Sequence, residues 1–416
     1  MKNQNRLLIM ISSARQESKR FHKILITLNL IILCSCSSRL DQPPVVVNFN
    51  SPAPSPSAEP HLFTSDDGSA YLTWVKDFDN KSEMYFSKLD GNTWTQPVLI
   101  DSGSNWFVNW ADYPMMVSNQ NNFMASYLAM SGPGKYSYDI KVTASADGGQ
   151  TWMKPFALNE DGKEAEHGFT SFVPYKENFF VSWLDGRNTI LMEMDGHHHD
   201  SHPSMSLRGA ILSNKGEKLK EWELDNKTCD CCNTSSAITI QGPVVVYRDR
   251  SDKELRDISI VRLVNGTWTP PQIIYEDNWE INGCPVNGPR VIAQDKNVAV
   301  AWFSMPNQEA QVKVVFSDDA AETFSKPIRV DKGKPIGRVD LEWLDDDAVF
   351  VLWIENSSII GARVERDGVV WSTTLSSSSE ARSSGFPQVT RVSKNQLVLA
   401  WTDDQTKQVK TAIINL

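Results

Sequence analysis

The chain has 416 residues and a formal net charge of −10, with 40% hydrophobic and 22% charged residues, an ordinary globular composition. An acidic balance of this size argues against nucleic acid as a partner, which would call for a basic face. Beyond the first forty residues no apolar stretch approaches the length that spans a bilayer.

In chain order, the basic residues Arg15, Lys19, Arg20 and Lys23 precede an apolar run from Ile24 to Leu33. That run has the length of a signal-peptide core and is too short for a membrane span. It ends in Leu33-Cys34-Ser35-Cys36, which resembles the bacterial lipobox, with Cys36 in the place of the lipidated cysteine. The resemblance implies a signal peptide over 1–36, a lipid anchor on Cys36 and a tether over 37–60. The alternative is an ordinary secretory signal cleaved nearby. Both readings put the mature chain in the bacterial cell envelope or beyond, where disulfides are permitted.

From residue 61 onward one unit recurs at a period of roughly 50 residues. A short strand ending in an aromatic returns seven times: AYLTW, FMASY, FFVSW, PVVVY, VAVAW, VFVLW and LVLAW, with Trp74, Tyr127, Trp183, Tyr247, Trp302, Trp353 and Trp401 at the ends. Each is followed by a polar loop, a second strand, a turn carrying an aromatic, and a further strand. Four short strands per repeat, with turn residues between them and hardly a helical period, predict an all-β chain folded as a β-propeller over 61–416. Seven four-stranded blades are expected, with six as the alternative. The last copy runs out one strand short, at VKTAIINL, and VVVNF (45–49) is placed to fill the gap and remove the exposed edge.

Within the repeats, SADGGQTW matches the S-x-D-x-G-x-T-W pattern through Ser145, Asp147, Gly149, Thr151 and Trp152, and SDDAAETF is a second copy with Ala321 where glycine belongs. These segments resemble the Asp box, or BNR repeat, of the sialidase superfamily. The motif supports a turn on the face away from the active site, so it speaks to fold rather than to reaction. An exo-sialidase needs three arginines around a carboxylate, a Tyr–Glu pair and an Asp acid/base. The family's Phe/Tyr-Arg-Ile-Pro motif is missing here.

On a propeller, loops entering each innermost strand and loops joining the second and third strands open on one face. That face is expected to collect Cys229, Cys231 and Cys232 of TCDCCNTS, and Cys284 from the next blade. It also collects His167, the run His197, His198, His199 and His202, and Arg187, Arg248, Arg250 and Arg290. The cysteines admit three readings: disulfides, among which four cysteines allow three pairings; a copper or zinc site with the histidines; or plain packing. The arginines admit two: a clamp for an anion, or struts between blades. Asp112, beside Trp110 and Tyr113, is the candidate acid/base. The leading expectation is a sialidase-like lipoprotein that binds, as a candidate exo-glycosidase, an anionic glycan at the propeller mouth. A metal-binding or redox propeller, and an interaction propeller with stapled blades, are the alternatives.

Overall fold

A computed structural model of the chain describes residues 42–190 and 204–416. Seven antiparallel sheets form seven blades. Their innermost strands are Ala58–Thr64, Met115–Asn119, His167–Tyr175, Ser235–Ile238, Arg290–Gln294, Pro335–Asp345 and Gln388–Ser393, for blades 1 to 7 in chain order. Blade 1 therefore opens at Ala58, three residues ahead of the expected start. Blade 7 has the order Val45–Phe49, Gln408–Asn415, Gln396–Asp403, Gln388–Ser393. The N-terminal strand pairs antiparallel with the last strand through Val47 and Ile413, so the first and last segments close the ring inside one sheet. Seven blades and the closing strand stand as expected.

The aromatic repeat has a packing reason. Second strands are covered on both faces by neighbouring blades, and Trp74, Trp183, Trp302, Trp353 and Tyr247 are almost wholly buried at their ends. A buried indole or phenol needs a partner for its polar atom. Trp183 donates to Asp185, Trp302 to Asp277 and Trp353 to Glu355, while Tyr127 donates to Asp101 and Tyr247 to Asp225. Five of the seven copies thus bring a carboxylate to the rim, while the Trp74 indole nitrogen is buried without a partner.

The two segments that resemble Asp boxes make one and the same turn between third and fourth strands. Asp147 accepts from the Thr151 amide at 2.9 Å and from its hydroxyl at 2.6 Å, and Asp319 does the same with Thr323 at the same distances. Ser145 and Ser317 accept the amides of Gly149 and Ala321.

Innermost strands are sheet edges splayed around a channel, so their outer amides lack a ladder partner. Side chains from the preceding blade supply acceptors. Asp112 takes the Phe169 amide at 2.7 Å, Ser171 that of Ser236, Ser235 that of Val291, Asn287 that of Arg338, and Asp340 that of Val389. This polar lacing around the ring includes Asp112, the acid singled out above.

Candidate functional site: the propeller mouth

The TCDCCNTS loop enters blade 4 after the outer strand of blade 3. Thr228 donates twice to the Met205 carbonyl, the Cys229 amide donates to the Arg248 carbonyl, and Asp230 accepts the Met205 amide at 2.7 Å. This folds the loop over itself and turns three sulfurs inward. The Sγ of Cys229 lies 3.9 Å from that of Cys231 and 3.6 Å from that of Cys232. Cys284 arrives on the loop between blades 4 and 5, and its thiol reaches Cys231. All four are free thiols, with Cys229 and Cys232 buried and Cys284 exposed. The structure brings Cys229, Cys231 and Cys232 within 4.8 Å of one another, and Cys284 stands outside that trio on the Cys231 side. Hydrogen bonds from Cys231 and Cys232, aided by the charges of Arg256 and Arg248, hold the Cys229 thiol well below its usual range.

The close approach of the two loops depends on Gly288. A Cβ there would stand 2.1 Å from the Asn233 carbonyl oxygen and 2.7 Å from its amide nitrogen. Backbone cannot yield as a flexible side chain does, so Gly288→Ala is expected to destabilise by about 1–3 kcal/mol. Urea unfolding of the variant checks this, and an unchanged midpoint would refute the packing argument.

The four arginines do not converge. Arg187 forks onto Asp185, with both bonds at 2.7 Å, and also touches Asp161 at 3.3 Å. Arg250 binds Asp230 at 3.0 Å and Glu254 at 2.8 Å. Arg248 is 1% exposed and donates to the carbonyls of Asn287, Arg256 and Phe303 while stacking on Trp279. Arg338, from the blade 6 entry, holds Ser384 and lies over Trp110. Arg248 and Arg338 are struts between blades, and Arg187 and Arg250 are taken up by nearby carboxylates. Arg290 alone of the predicted four lines the central channel.

His167 stands apart from the sulfurs. Its Nδ1 meets the Tyr138 carbonyl at 3.1 Å and its Nε2 meets Asp161 at 2.9 Å, with Asp185 at 3.7 Å. Burial alone would lower its pKa, but the Asp161 hydrogen bond and the charges of Asp185 and Asp161 outweigh burial and raise it. Asp161, His167 and Asp185 have the spacing of a metal triad, yet the Arg187 guanidinium already supplies a cation between the two carboxylates. His197, His198, His199 and His202 lie outside the described residues, as do Cys36 and the leader.

Asp112 is 4% exposed. Burial, and then the nearby Glu166, push its carboxyl up to about 8 against the Phe169 amide bond. It is therefore protonated at neutral pH, but its free oxygen lies against Gly168, where a Cβ would stand 1.9 Å away. Tyr138 donates to Glu166 at 2.7 Å. Tyr113 instead accepts from Arg290 and Gln388. Tyr138 is 1% exposed and its hydroxyl is held firmly protonated by burial, which removes it from nucleophilic work.

The channel has a volume of about 550 Å³ and is lined from all seven inner strands, by His61, Met115, Ser171, Ser235, Arg290, Asp340 and Gln388 among others. Arg290 donates to the Tyr113 hydroxyl, and its Nε is 3.5 Å from Asp340. Burial pushes the Glu342 carboxyl up to about 7 and the His61 imidazole down to about 3, the latter helped by Arg290. Sequence reasoning passed over Asp340, Glu342 and His61. Alternation in VDLEW would have put Asp340 and Glu342 on the channel face.

No protein-family model and no curated protein matches the sequence. Among solved structures, the chain is similar to a protein of unknown function from Dyadobacter fermentans, at 14% identity and a TM-score of 0.51 over 90% of this chain and 98% of that one. It is similar to a polysaccharide lyase described as a PL25 ulvan lyase, at 15% identity and a TM-score of 0.50 over 76% and 81% of the two chains. The endosialidase of phage phi92 aligns over 90% of this chain and 69% of its own, at 10% identity and a TM-score of 0.48. These likenesses are of fold.

Proposed function

We propose that the chain is a sialidase-like propeller of the bacterial cell envelope, anchored through a lipidated Cys36, that binds an anionic glycan in its central channel. The observation that carries the reading is Arg290. It is a guanidinium facing the cavity, bonded directly to the Tyr113 hydroxyl and 3.5 Å from one carboxylate. Hydroxyls of Ser171, Ser235, Ser236, Thr64 and Thr390 and the Gln388 amide line the same space, and such groups suit sugar hydroxyls. A polysaccharide lyase on a similar scaffold is consistent with this use of a propeller. Asp112, buried and bonded to the Phe169 amide, is not among the residues that line the channel, so the proposal is binding rather than hydrolysis.

Calorimetry with glucuronate- and sialate-terminated oligosaccharides tests it. Wild type is expected to bind, and Arg290→Ala to weaken binding about tenfold to a hundredfold, the worth of one charged hydrogen-bonding group. Equal binding by the variant, or no binding across acidic sugars, would overturn it. The anchor is tested separately, by palmitate labelling that is lost in Cys36→Ala.

A further inference from the structure

We infer that Cys229, Cys231, Cys232 and Cys284 form a binding site for one thiophilic d10 metal ion, Zn²⁺ or Cu⁺, at the seam between blades 4 and 5. The first ground is spacing. Sulfurs placed about 2.3 Å from a tetrahedral metal stand about 3.8 Å from one another. The observed separations of 3.9 and 3.6 Å fall on either side of that value. Disulfide sulfurs would sit at about 2.05 Å, and unrelated buried thiols have no reason to gather. The three loop sulfurs lie within 4.8 Å of one another.

The second ground is charge. A divalent ion with four thiolates, or a monovalent ion with three, carries an excess of two negative charges. Burying that excess requires cations close by. Arg256, which also pairs with Glu254, has its side chain beside the Cys229 sulfur. Arg248, 1% exposed, places every one of its hydrogen bonds on a carbonyl oxygen, so no carboxylate neutralises it by direct contact among the described residues. A buried guanidinium left in that state calls for an anion, and the sulfur cluster supplies one.

The third ground is construction from two blades. Gly288 lets the Cys284 loop press against Asn233, and Arg248 holds the Asn287 carbonyl of that same loop at 2.9 Å. With Cys229 and Cys232 buried, Cys231 half-buried and Cys284 at the exposed edge, an ion would enter past Cys284 and be closed in by it. An occupied site would then tie blade 4 to blade 5.

The test uses full-length chain, purified in detergent without a polyhistidine tag and reduced under anaerobic conditions. It is titrated with Zn²⁺ or Cu⁺ against a competing chelator, and with Co²⁺ to read the thiolate-to-metal charge-transfer band. One equivalent bound with that band is the expected result, and the stronger competitor of the Zn²⁺ and Cu⁺ arms identifies the ion. Cys284→Ser is expected to weaken binding about tenfold to a hundredfold, and it sits at an exposed edge where folding tolerates it. Cys229→Ser with Cys232→Ser is expected to abolish the band. Alanine at His197, His198, His199 and His202 is expected to leave the band in place. A band that survives in the Cys229→Ser, Cys232→Ser double variant, no band in wild type, or a mass showing two disulfides after aerobic purification would overturn the site.

Discussion

Replacing His167 with alanine is expected to destabilise the protein by about 3–5 kcal/mol at pH 6, the usual penalty for breaking a buried ion pair from one side. The His167 side chain is 0% exposed and that of Asp185 is also 0%, with Asp161 at 6%. Without the imidazolium, two buried carboxylates would share the Arg187 guanidinium, and the Tyr138 carbonyl would lose its bond to Nδ1. The loss has a pH signature whose sign follows from the shifts. His167 has a folded pKa above its unfolded value of about 6.5, so its contribution is complete below that pH and fades as pH rises through the folded pKa. Asp161 and Asp185 are held below their usual range, mainly by His167 and by Arg187 respectively, against burial. Their contribution is complete above about pH 4 and fades in acid. Urea unfolding of wild type and variant at pH 6 and pH 9 should therefore show the gap narrowing at the higher pH. A gap that is small at pH 6, or that widens on going alkaline, contradicts the assignment of a charged His167.

How much of this was legible beforehand differs by kind of contact. The ring was readable because blade stacking demands the same thing of every copy. A second strand buried on both faces must end in an aromatic that fills the wedge, and seven such ends recur. Closure was readable because the last repeat lacks one strand and VVVNF has no other place to pair. The meeting of Cys284 with Cys229–Cys232 followed from topology alone, since both lie in entry loops of adjacent blades. Partner choice was not readable. Arg187 and Arg248 both end second strands or their loops, yet one binds a carboxylate two residues away and the other binds carbonyls from distant segments. Nothing local in PVVVYR reports the Asn287 and Phe303 oxygens it will meet. Asp112 was misjudged for a similar reason: an acid beside Trp110 and Tyr113 suggests a sugar site, whereas the edge amide of Phe169 claims it. The lacing of inner strands by the preceding blade is a demand of backbone hydrogen bonding that only coordinates make specific.

The same distinction makes Arg248 the most informative single residue of the mouth. Methionine at this position keeps much of the stem packed against Trp279 but removes the guanidinium fork, leaving the carbonyls of Asn287, Arg256 and Phe303 without those donors. Each buried acceptor stripped of its partner costs about 1–3 kcal/mol, so Arg248→Met is expected to lose about 3–5 kcal/mol in urea unfolding with an unchanged slope. Arg248→Lys should recover only part of that. An ammonium on a single stem cannot reproduce a planar fork aimed at carbonyls on two sides. The order wild type, then Lys, then Met separates a directional strut from a buried charge that merely offsets nearby sulfur. If charge alone mattered, lysine would match wild type. A Met variant within about 1 kcal/mol of wild type would mean that the carbonyls find water, and that the loop bearing Cys284 is held by Gly288 packing alone.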